Sequence, residues 1–571
     1  MENISCEWGK VSYNIDMIEL EARVRIPYLW GKAVFKKNNW SQINLIVGPN
    51  GAGKTLLAQS LAEQFYNAGY GITFVKSDRN DADMHNAQLE ILKNDTRVRE
   101  KIERVLSNMF GKSIKFVDNE EGVPIPVVEN KAWNVEYLLE DAECHGLKEI
   151  ISLLISLYKK NGSDVGHGDE FGGTGGAGGA GSDNDNEPTV GECLFFDEPE
   201  LHLHPQFQSF FMNEIRKECA HSKRRIFFLI SHSPFFIDLR TPEELTGVIA
   251  CHTNKVPTTI DNLDNDDEEL FRRFLPRFNT YHKQFFFSDN QIFVEGYTDQ
   301  QMFTNLLPFI ENEYDAVGTG IIDVGGKDEL GVFCKVCSLL GTNSRIITDL
   351  DSLFSGKLRD VASQDIRTVQ WLEKQEEKQR EFYKEIFTTK ELAHKITVEK
   401  LIVRLERYLI AISKELEKYW KVGKGKSIQW NNIPRRMRPL IEKLKLLQEK
   451  HGNAENVDTY KTVLLQGVNN VGDMMEKMLP QRLAVTIPII KNLASLILAA
   501  IEASRVYILP KGCIEHYYFK SNIQYMPVAA KDRLFRTELE FIQDSHRKSV
   551  RKAYRDLIEI LEKACSRVYY N

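Results

Sequence analysis

The residues most able to do chemistry fall into two groups. In the first, Gly48-Pro49-Asn50-Gly51-Ala52-Gly53-Lys54-Thr55 joins an apolar run, Ile43 to Val47, to a helical run, Leu56 to Phe65. This is a phosphate-binding loop in the strand–loop–helix setting that the motif requires. Backbone N–H groups from Asn50, Gly51, Ala52 and Gly53 can close around phosphate at the positive end of the following helix. Lys54 would reach the β and γ oxygens, and the Thr55 hydroxyl would ligate Mg²⁺. Further on, the apolar Cys193-Leu194-Phe195-Phe196 ends in Asp197-Glu198. Asp197 would hold Mg²⁺ through water, and Glu198 would orient or deprotonate the attacking water. Both acids are expected at the carboxyl end of a strand beside the phosphate loop. Another apolar run, Ile226 to Ile230, ends in Ser231-His232, where an imidazole can sense a γ-phosphate. A lone histidine or a lone Asp-Glu is more often structural. The four together, in this order, point to ATP hydrolysis.

The second group is acidic. Gln291-Ile292-Phe293-Val294 ends in Glu295, and Arg345-Ile346-Ile347-Thr348 ends in Asp349-Leu350-Asp351. In an extended segment residues two apart face the same side, so Asp349 and Asp351 can share a cation. Glu295 would end a neighbouring strand at the same edge. Three carboxylates without paired bases suit Mg²⁺ or Mn²⁺, and such ions can clamp the attacking and leaving oxygens of a phosphodiester. Any single acid of this kind more often caps a turn.

The elements that must position these groups indicate an α/β chain. Residues 1–47 alternate in polarity, as in Val24-Arg25-Ile26, and read as strands leading into the loop. Gly71 to Val75 reads as the next strand. Residues 162–187 are glycine-rich and then acidic, a flexible linker rather than a second phosphate loop, because no strand and helix flank them. Asp264 to Glu269 reads as a solvated linker. A second α/β pattern begins at Gln291, with Ile321-Ile322-Asp323-Val324-Gly325-Gly326 as its next strand and tight turn. A long helical stretch interrupts it before a strand at Val506 to Leu509. The expected division is an ATPase domain over 1–255, a linker or dimerisation segment over 256–290, and an α/β domain over 291–355 and 506–571. A helical insertion occupies 356–505.

The Gly48–Thr55 loop, Asp197-Glu198-Pro199-Glu200 with Leu201-His202-Leu203-His204-Pro205, and Ser231-His232-Ser233-Pro234 resemble the ABC-type ATPase of the OLD (overcoming lysogenisation defect) nucleases. The later set, Glu295-Gly296-Tyr297-Thr298-Asp299, then Gly325-Gly326, then Asp349-Leu350-Asp351, resembles a Toprim domain. ATPase followed by Toprim is the OLD arrangement. The resemblance implies ATP and Mg²⁺ as cofactors, with Mn²⁺ an alternative at the Toprim site, and DNA as substrate. It adds Asp299 to the metal ligands and assigns Glu515, within Leu509-Pro510-Lys511-Gly512-Cys513-Ile514-Glu515, as a further one. It also requires a catalytic lysine, Lys531 or, as second choice, Lys511. It implies dimers or larger assemblies through the ATPase heads. The usual Leu-Ser-Gly-Gly signature is missing, and Cys144-His145-Gly146-Leu147-Lys148-Glu149 is its candidate replacement. Some relatives act alone in anti-phage defence. Others serve a partner, such as a reverse transcriptase with its DNA product. The rival functions are an ATP-driven DNA-binding or assembly module with an inactive Toprim site, and a topoisomerase- or primase-like enzyme.

Within the insertion, Ile402, Leu405, Leu409, Ile412, Leu416 and Tyr419 form a three–four seam. Leu401 to Lys450 carries 13 Lys/Arg against 5 Glu, a local +8 in a chain of net −7. With Trp420 and Trp430 nearby, Arg435, Arg436 and Arg438 read as a DNA-backbone patch, the alternatives being a partner surface or a solvated helical face. Cys334 and Cys337 form a CxxC in an apolar run and read as buried helix, with metal or redox use the alternative. The cysteine usage suits a reducing cytoplasm. No signal peptide is evident. The most apolar run, Leu493 to Ile501, is too short to span a bilayer, so no membrane association is expected.

Overall fold

The computed structural model describes residues 18–77, 90–118, 124–139, 145–159, 190–287, 290–312, 319–354, 357–420, 433–452 and 457–566. The glycine-rich stretch, Cys144 and Trp430 lie outside them. The chain divides into two compact units, Met1–Phe287 and Ser288–Asn571.

In the first unit the strands are β1 (Ile18–Val24), β2 (Phe35–Trp40), β3 (Ile43–Val47), β4 (Tyr70–Val75), β5 (Lys112–Asp118), β6 (Pro124–Asn130), β7 (Val135–Leu138), β8 (Gly191–Asp197), β9 (Arg225–Ile230), β10 (Val248–Ala250) and β11 (Thr258–Thr259). Six form one sheet in the order β11-β10-β3-β9-β8-β4, parallel except for β11. Every residue of β9 is buried, as expected of a central parallel strand covered on both faces. The sheet is tied to the helix Lys54–Asn67 by aromatic packing. Phe195 stacks on Phe228 at 4.2 Å between ring centres, while Trp40 and Phe65 meet Phe228 edge-on at 5.6 and 5.4 Å. Each such buried ring contributes about 1.5–3 kcal/mol of transfer energy. β5, β6 and β7 form a separate antiparallel sheet.

The segment expected to link the domains is packed onto this unit. Asp264 caps the helix Asn265–Phe274 by accepting from the Asp267 N–H at 2.7 Å. Its own Phe271 and Phe274 are buried, and Phe285 stacks on Phe286 at 4.1 Å. An amphipathic helix with this many aromatics loses too much apolar burial to remain a solvated tether.

In the second unit, β12 (Gln291–Val294), β13 (Gly320–Asp323), β14 (Ser344–Thr348) and β15 (Val506–Ile508) form an all-parallel sheet in the order β13-β12-β14-β15. Between β14 and β15 lie helices, the longest being Val398–Leu416, Arg438–His451, Asp458–Met478 and Thr486–Glu502. The seam residues Ile402, Leu405, Leu409, Ile412 and Leu416 are all buried, and Tyr419 lies in a 3₁₀ turn just beyond. Gln481–Glu502 is long and apolar enough to cross a membrane, which the run Leu493 to Ile501 alone did not suggest. Its face bearing Ile487, Ile490, Leu493 and Ile497 is buried in this unit instead. Cys334 and Cys337 lie on the helix Lys327–Leu339, and burial pushes both thiols up, Cys337 to about 12. Neutral thiols packed in a helix bear out the buried-helix reading.

Candidate nucleotide and metal sites

The phosphate loop leaves β3 at Gly48, whose φ of +144° is open to glycine. A Cβ there would collide with the Cys251 carbonyl oxygen. Ala52 is buried, Asn50 and Gly51 are exposed, and Gly53 at φ +82° turns the chain into the helix that Lys54 begins. Lys54 Nζ donates to the carbonyls of Gly48 and Pro49 at 3.1 and 3.0 Å. Burial lowers its pKa from the ordinary lysine value, with Cys251 and the acids Glu198, Asp197 and Glu200 opposing. The Thr55 hydroxyl donates to Asp197 Oδ1 at 3.2 Å, so the two expected Mg²⁺-site groups meet across the sheet.

The acids end a strand beside the phosphate loop, as expected, but that strand is not the neighbour of β3. The sheet instead inserts β9 between β3 and β8, so the histidine strand is the loop's neighbour and the acids lie one strand further. Their strand ends still align. Glu198 takes a left-handed conformation (φ +46°) while its N–H donates to the Ile230 carbonyl at 2.8 Å. That turn brings Glu198 Oε1 to 3.8 Å from His232 Nε2. Burial, then the nearby Lys54 ammonium, hold the His232 imidazolium below its ordinary pKa, favouring the neutral ring. Glu200 was given no role from sequence. Its carboxylate accepts from the Ser231 hydroxyl at 2.8 Å and the His232 N–H at 2.6 Å, which fixes the turn that presents His232. Its position inside Asp-Glu-Pro-Glu was the available signal. Among the candidate signature residues, Gly146 packs against the His202 carbonyl at the start of the helix His145–Tyr158.

In the second unit, register carries the acids to one edge. Val294 pairs with both Asp323 and Ile347, so Glu295 leaves β12 level with the end of β14. Glu295 Oε1 accepts from the Thr348 hydroxyl at 2.5 Å, the Asp349 N–H at 2.9 Å and the Ser352 hydroxyl at 3.3 Å. Carboxylate oxygens of Glu295, Asp349 and Asp351 all lie within 4.8 Å of one another, the one such cluster of three found among the described residues. Asp351 does not arrive by strand alternation. β14 stops at Thr348, Asp349 caps a 3₁₀ turn over Leu350–Leu353, and that turn swings Asp351 back to the edge.

The expectation that these acids lack basic partners also fails. Lys327 Nζ donates to Asp351 Oδ2 at 3.1 Å. Burial alone would lower that ammonium's pKa, but Asp351 and Glu295 outweigh it and hold it raised. The residue follows Gly325-Gly326 directly, at the start of its helix, and that adjacency was the missed signal.

Glu515 is fully buried in a 3₁₀ turn over Ile514–Tyr517, and Lys531 Nζ reaches its Oε1 at 2.8 Å. Lys511, the second choice, pairs with Asp556 at 2.5 Å and lies over the Tyr517 ring. Burial, then Glu295 and Glu515, push the Asp299 carboxyl from 3.8 up to about 7. Burial, then Glu295, Asp299 and Asp351, push Asp349 well above the carboxylate range. The carboxylates of Glu295, Asp349 and Asp351 gathered at this edge offer oxygen ligands that fit a hard divalent cation.

Of the basic cluster, Arg435 and Arg436 are exposed and Arg438 is half-buried. Arg436 pairs with Asp473 at 3.5 Å, and Arg438 donates to the Ile433 carbonyl at 3.2 Å. Trp420 does not share the surface with these arginines. It is buried, and its indole N–H donates to Gln448 Oε1 at 2.7 Å.

Comparison with known proteins finds two domains in the chain. Residues 146–238 match a family model described as "AAA domain, putative AbiEii toxin, Type IV TA system". Residues 286–351 match "Overcoming lysogenization defect protein-like, TOPRIM domain". The chain therefore carries an ATPase-type domain with a Toprim domain behind it, an order that matches the architecture of the OLD family. Its domains imply use of a nucleotide and a divalent metal. Among solved structures, the crystal structure of Stu0660 of Streptococcus thermophilus is similar at 11% identity, over 46% of this chain and 86% of that one. Its TM-score of 0.26 carries no weight for fold or function. No curated protein matches the chain.

Proposed function

We propose that the protein is an ATP-regulated, divalent-metal-dependent DNA endonuclease acting in anti-phage defence. The observation that carries this reading is the meeting of Glu295, Asp349 and Asp351 within 4.8 Å at one edge of a parallel sheet, with Glu515 and Lys531 paired nearby. A pair of divalent ions, when bound, would polarise a phosphodiester and lower the pKa of the attacking water. Glu295, Asp299, Asp349, Asp351 and Glu515 would hold them. Water oxygen bonds to phosphorus as the bond to the leaving sugar oxygen breaks, and that oxygen takes up a proton. Lys531, freed from Glu515, would face the charge that develops on the phosphate. In the first unit, Lys54 grips the β and γ phosphates, Thr55 and Asp197 hold the Mg²⁺ of ATP, Glu198 serves the water and His232 senses the γ-phosphate.

Arg435, Arg436 and Arg438 supply a sequence-independent contact to the DNA backbone. The heads assemble as a homodimer or higher homo-oligomer, and a defence partner such as a reverse transcriptase with its DNA product sets the trigger. The test is plasmid DNA incubated with pure protein and Mg²⁺ or Mn²⁺, with and without ATP. Nicked or linear product that depends on the metal supports the reading. Intact plasmid under all metal, ATP and partner conditions refutes it.

A further inference from the structure

The helical insertion reaches the metal edge through one side chain. Gln466 lies in the middle of the helix Asp458–Met478 and is 1% exposed. Its Nε2 donates to the Lys511 carbonyl at 2.7 Å, and its Oε1 accepts from the Met526 N–H at 3.1 Å. A carbonyl on one side and an amide N–H on the other fix which end of the carboxamide faces which. Nε2 also lies 3.1 Å from His516 Nε2. Gly512, at φ +135°, packs so closely that a Cβ would collide with Gln466 Nε2 and with the His516 ring.

Both strands of backbone that Gln466 holds serve the acids. Lys511 and His516 bracket Glu515's turn, which the Cys513 N–H closes by donating to His516 Nδ1 at 3.0 Å. The Gly512 carbonyl accepts from the Leu350 N–H at 2.8 Å, the peptide between Asp349 and Asp351. Met526 leads to the helix Lys531–Asp544, which Lys531 begins. That second segment is latched again by the insertion, where Asn470 donates to the Gln524 carbonyl at 3.4 Å and Lys443 to the Pro527 carbonyl at 2.8 Å. A buried carboxamide bridging two backbone segments resists truncation, because each abandoned partner keeps its desolvation cost.

We propose that Gln466 is the positioning residue through which the insertion sets Glu515, Lys531 and the Asp349–Asp351 turn. The proposal rests on the metal-site reading above and adds a residue outside the acid cluster to it. Partners beyond a site's direct ligands commonly change metal affinity 10–100-fold.

The test uses the full chain carrying Gln466→Leu, with Gln466→Glu as a second variant that keeps an acceptor for the Met526 N–H. Amide hydrogen exchange and Mn²⁺ binding without DNA are measured on each. Gln466→Leu should speed exchange over 511–516 and at Met526 at least about tenfold and weaken Mn²⁺ about tenfold, leaving β3 and β9 at parental rates. Gln466→Glu should loosen 511–516 while Met526 stays protected. In a Glu515→Gln background, Gln466→Leu should cost less Mn²⁺ affinity than it does in the parent, since part of its effect passes through Glu515. Parental exchange over 511–516 in Gln466→Leu would overturn the proposal, as would a fully additive loss of affinity. If the parent itself binds no Mn²⁺, the metal reading falls, and the exchange result still decides whether Gln466 positions the loop.

Discussion

Asp299→Asn should make the metal-free protein more stable at pH 8 while weakening its hold on metal. The Asp299 carboxyl is raised from 3.8 to about 7, first by burial and then by Glu295 and Glu515. A carboxyl raised on folding favours the folded state while protonated. That contribution is whole below pH 3.8 and is lost as pH rises through about 7, so at pH 8 the parent has lost all of it. A rise of about three pKa units corresponds to roughly 4 kcal/mol at 1.36 kcal/mol per unit. Asp299 is partly buried and lies among coupled carboxylates, so relaxation of its neighbours and residual solvent screening reduce this to about 2 kcal/mol. For a unit of this size that is about 4–8 °C in Tm. The assay is thermal unfolding in chelator from pH 4.5 to 8.5, followed by a probe in the second unit, then repeated with Mn²⁺. The variant should gain on the parent steadily between pH 4.5 and 7, and Mn²⁺ should raise the parent's Tm more than the variant's. A variant less stable than the parent at pH 8 in chelator would refute this electrostatic reasoning.

Three other outcomes follow from named contacts. Lys54→Ala should lose nucleotide binding, whereas Glu198→Gln should bind ATP and fail to hydrolyse it, and normal phosphate release by Glu198→Gln would remove Glu198 from its role. Lys327→Met should tighten Mn²⁺ in the absence of DNA about tenfold, because removing a competing cation near Asp351 is worth roughly 1–2 kcal/mol in a water-like dielectric; titration showing unchanged or weaker binding would contradict this. Reversing charge at Arg435, Arg436 and Arg438 should lower DNA affinity and flatten the log–log salt dependence by about 0.9 per lost phosphate contact, and an unchanged slope would assign the cluster to a protein partner.

Much of both sites was legible because strand ends are marked twice, by a run of apolar residues and by the polar residue that stops it. Asp197, His232, Glu295 and Asp349 all lie where such a run ends. Strand order was not legible, since nothing local says that β9 separates β3 from β8. The 3₁₀ turn at Asp351 was hidden because Asp-x-Asp fits an extended strand and a tight turn equally well. Lys327 is 24 residues from Asp351, and Gln466 is 45 residues from Lys511 and 60 from Met526. Pairings of that separation leave no periodic trace. Trp420 stood near basic residues in sequence, yet its indole was needed in the bundle core, where burial of so large a ring outweighs exposure.

The most direct measurement is plasmid cleavage and phosphate release from one preparation of Asp349→Ala beside the parent. Asp349 shares the acid cluster with Glu295 and Asp351, while the proposed ATP chemistry rests on Lys54, Thr55, Asp197 and Glu198 in the other unit. The predicted result is loss of metal-dependent cutting by at least about a hundredfold, in line with removal of a metal-ligand set, with ATP hydrolysis at the parental rate. An Asp349→Ala protein that cuts plasmid as fast as the parent would contradict the assignment of the Glu295–Asp349–Asp351 edge as the nuclease centre.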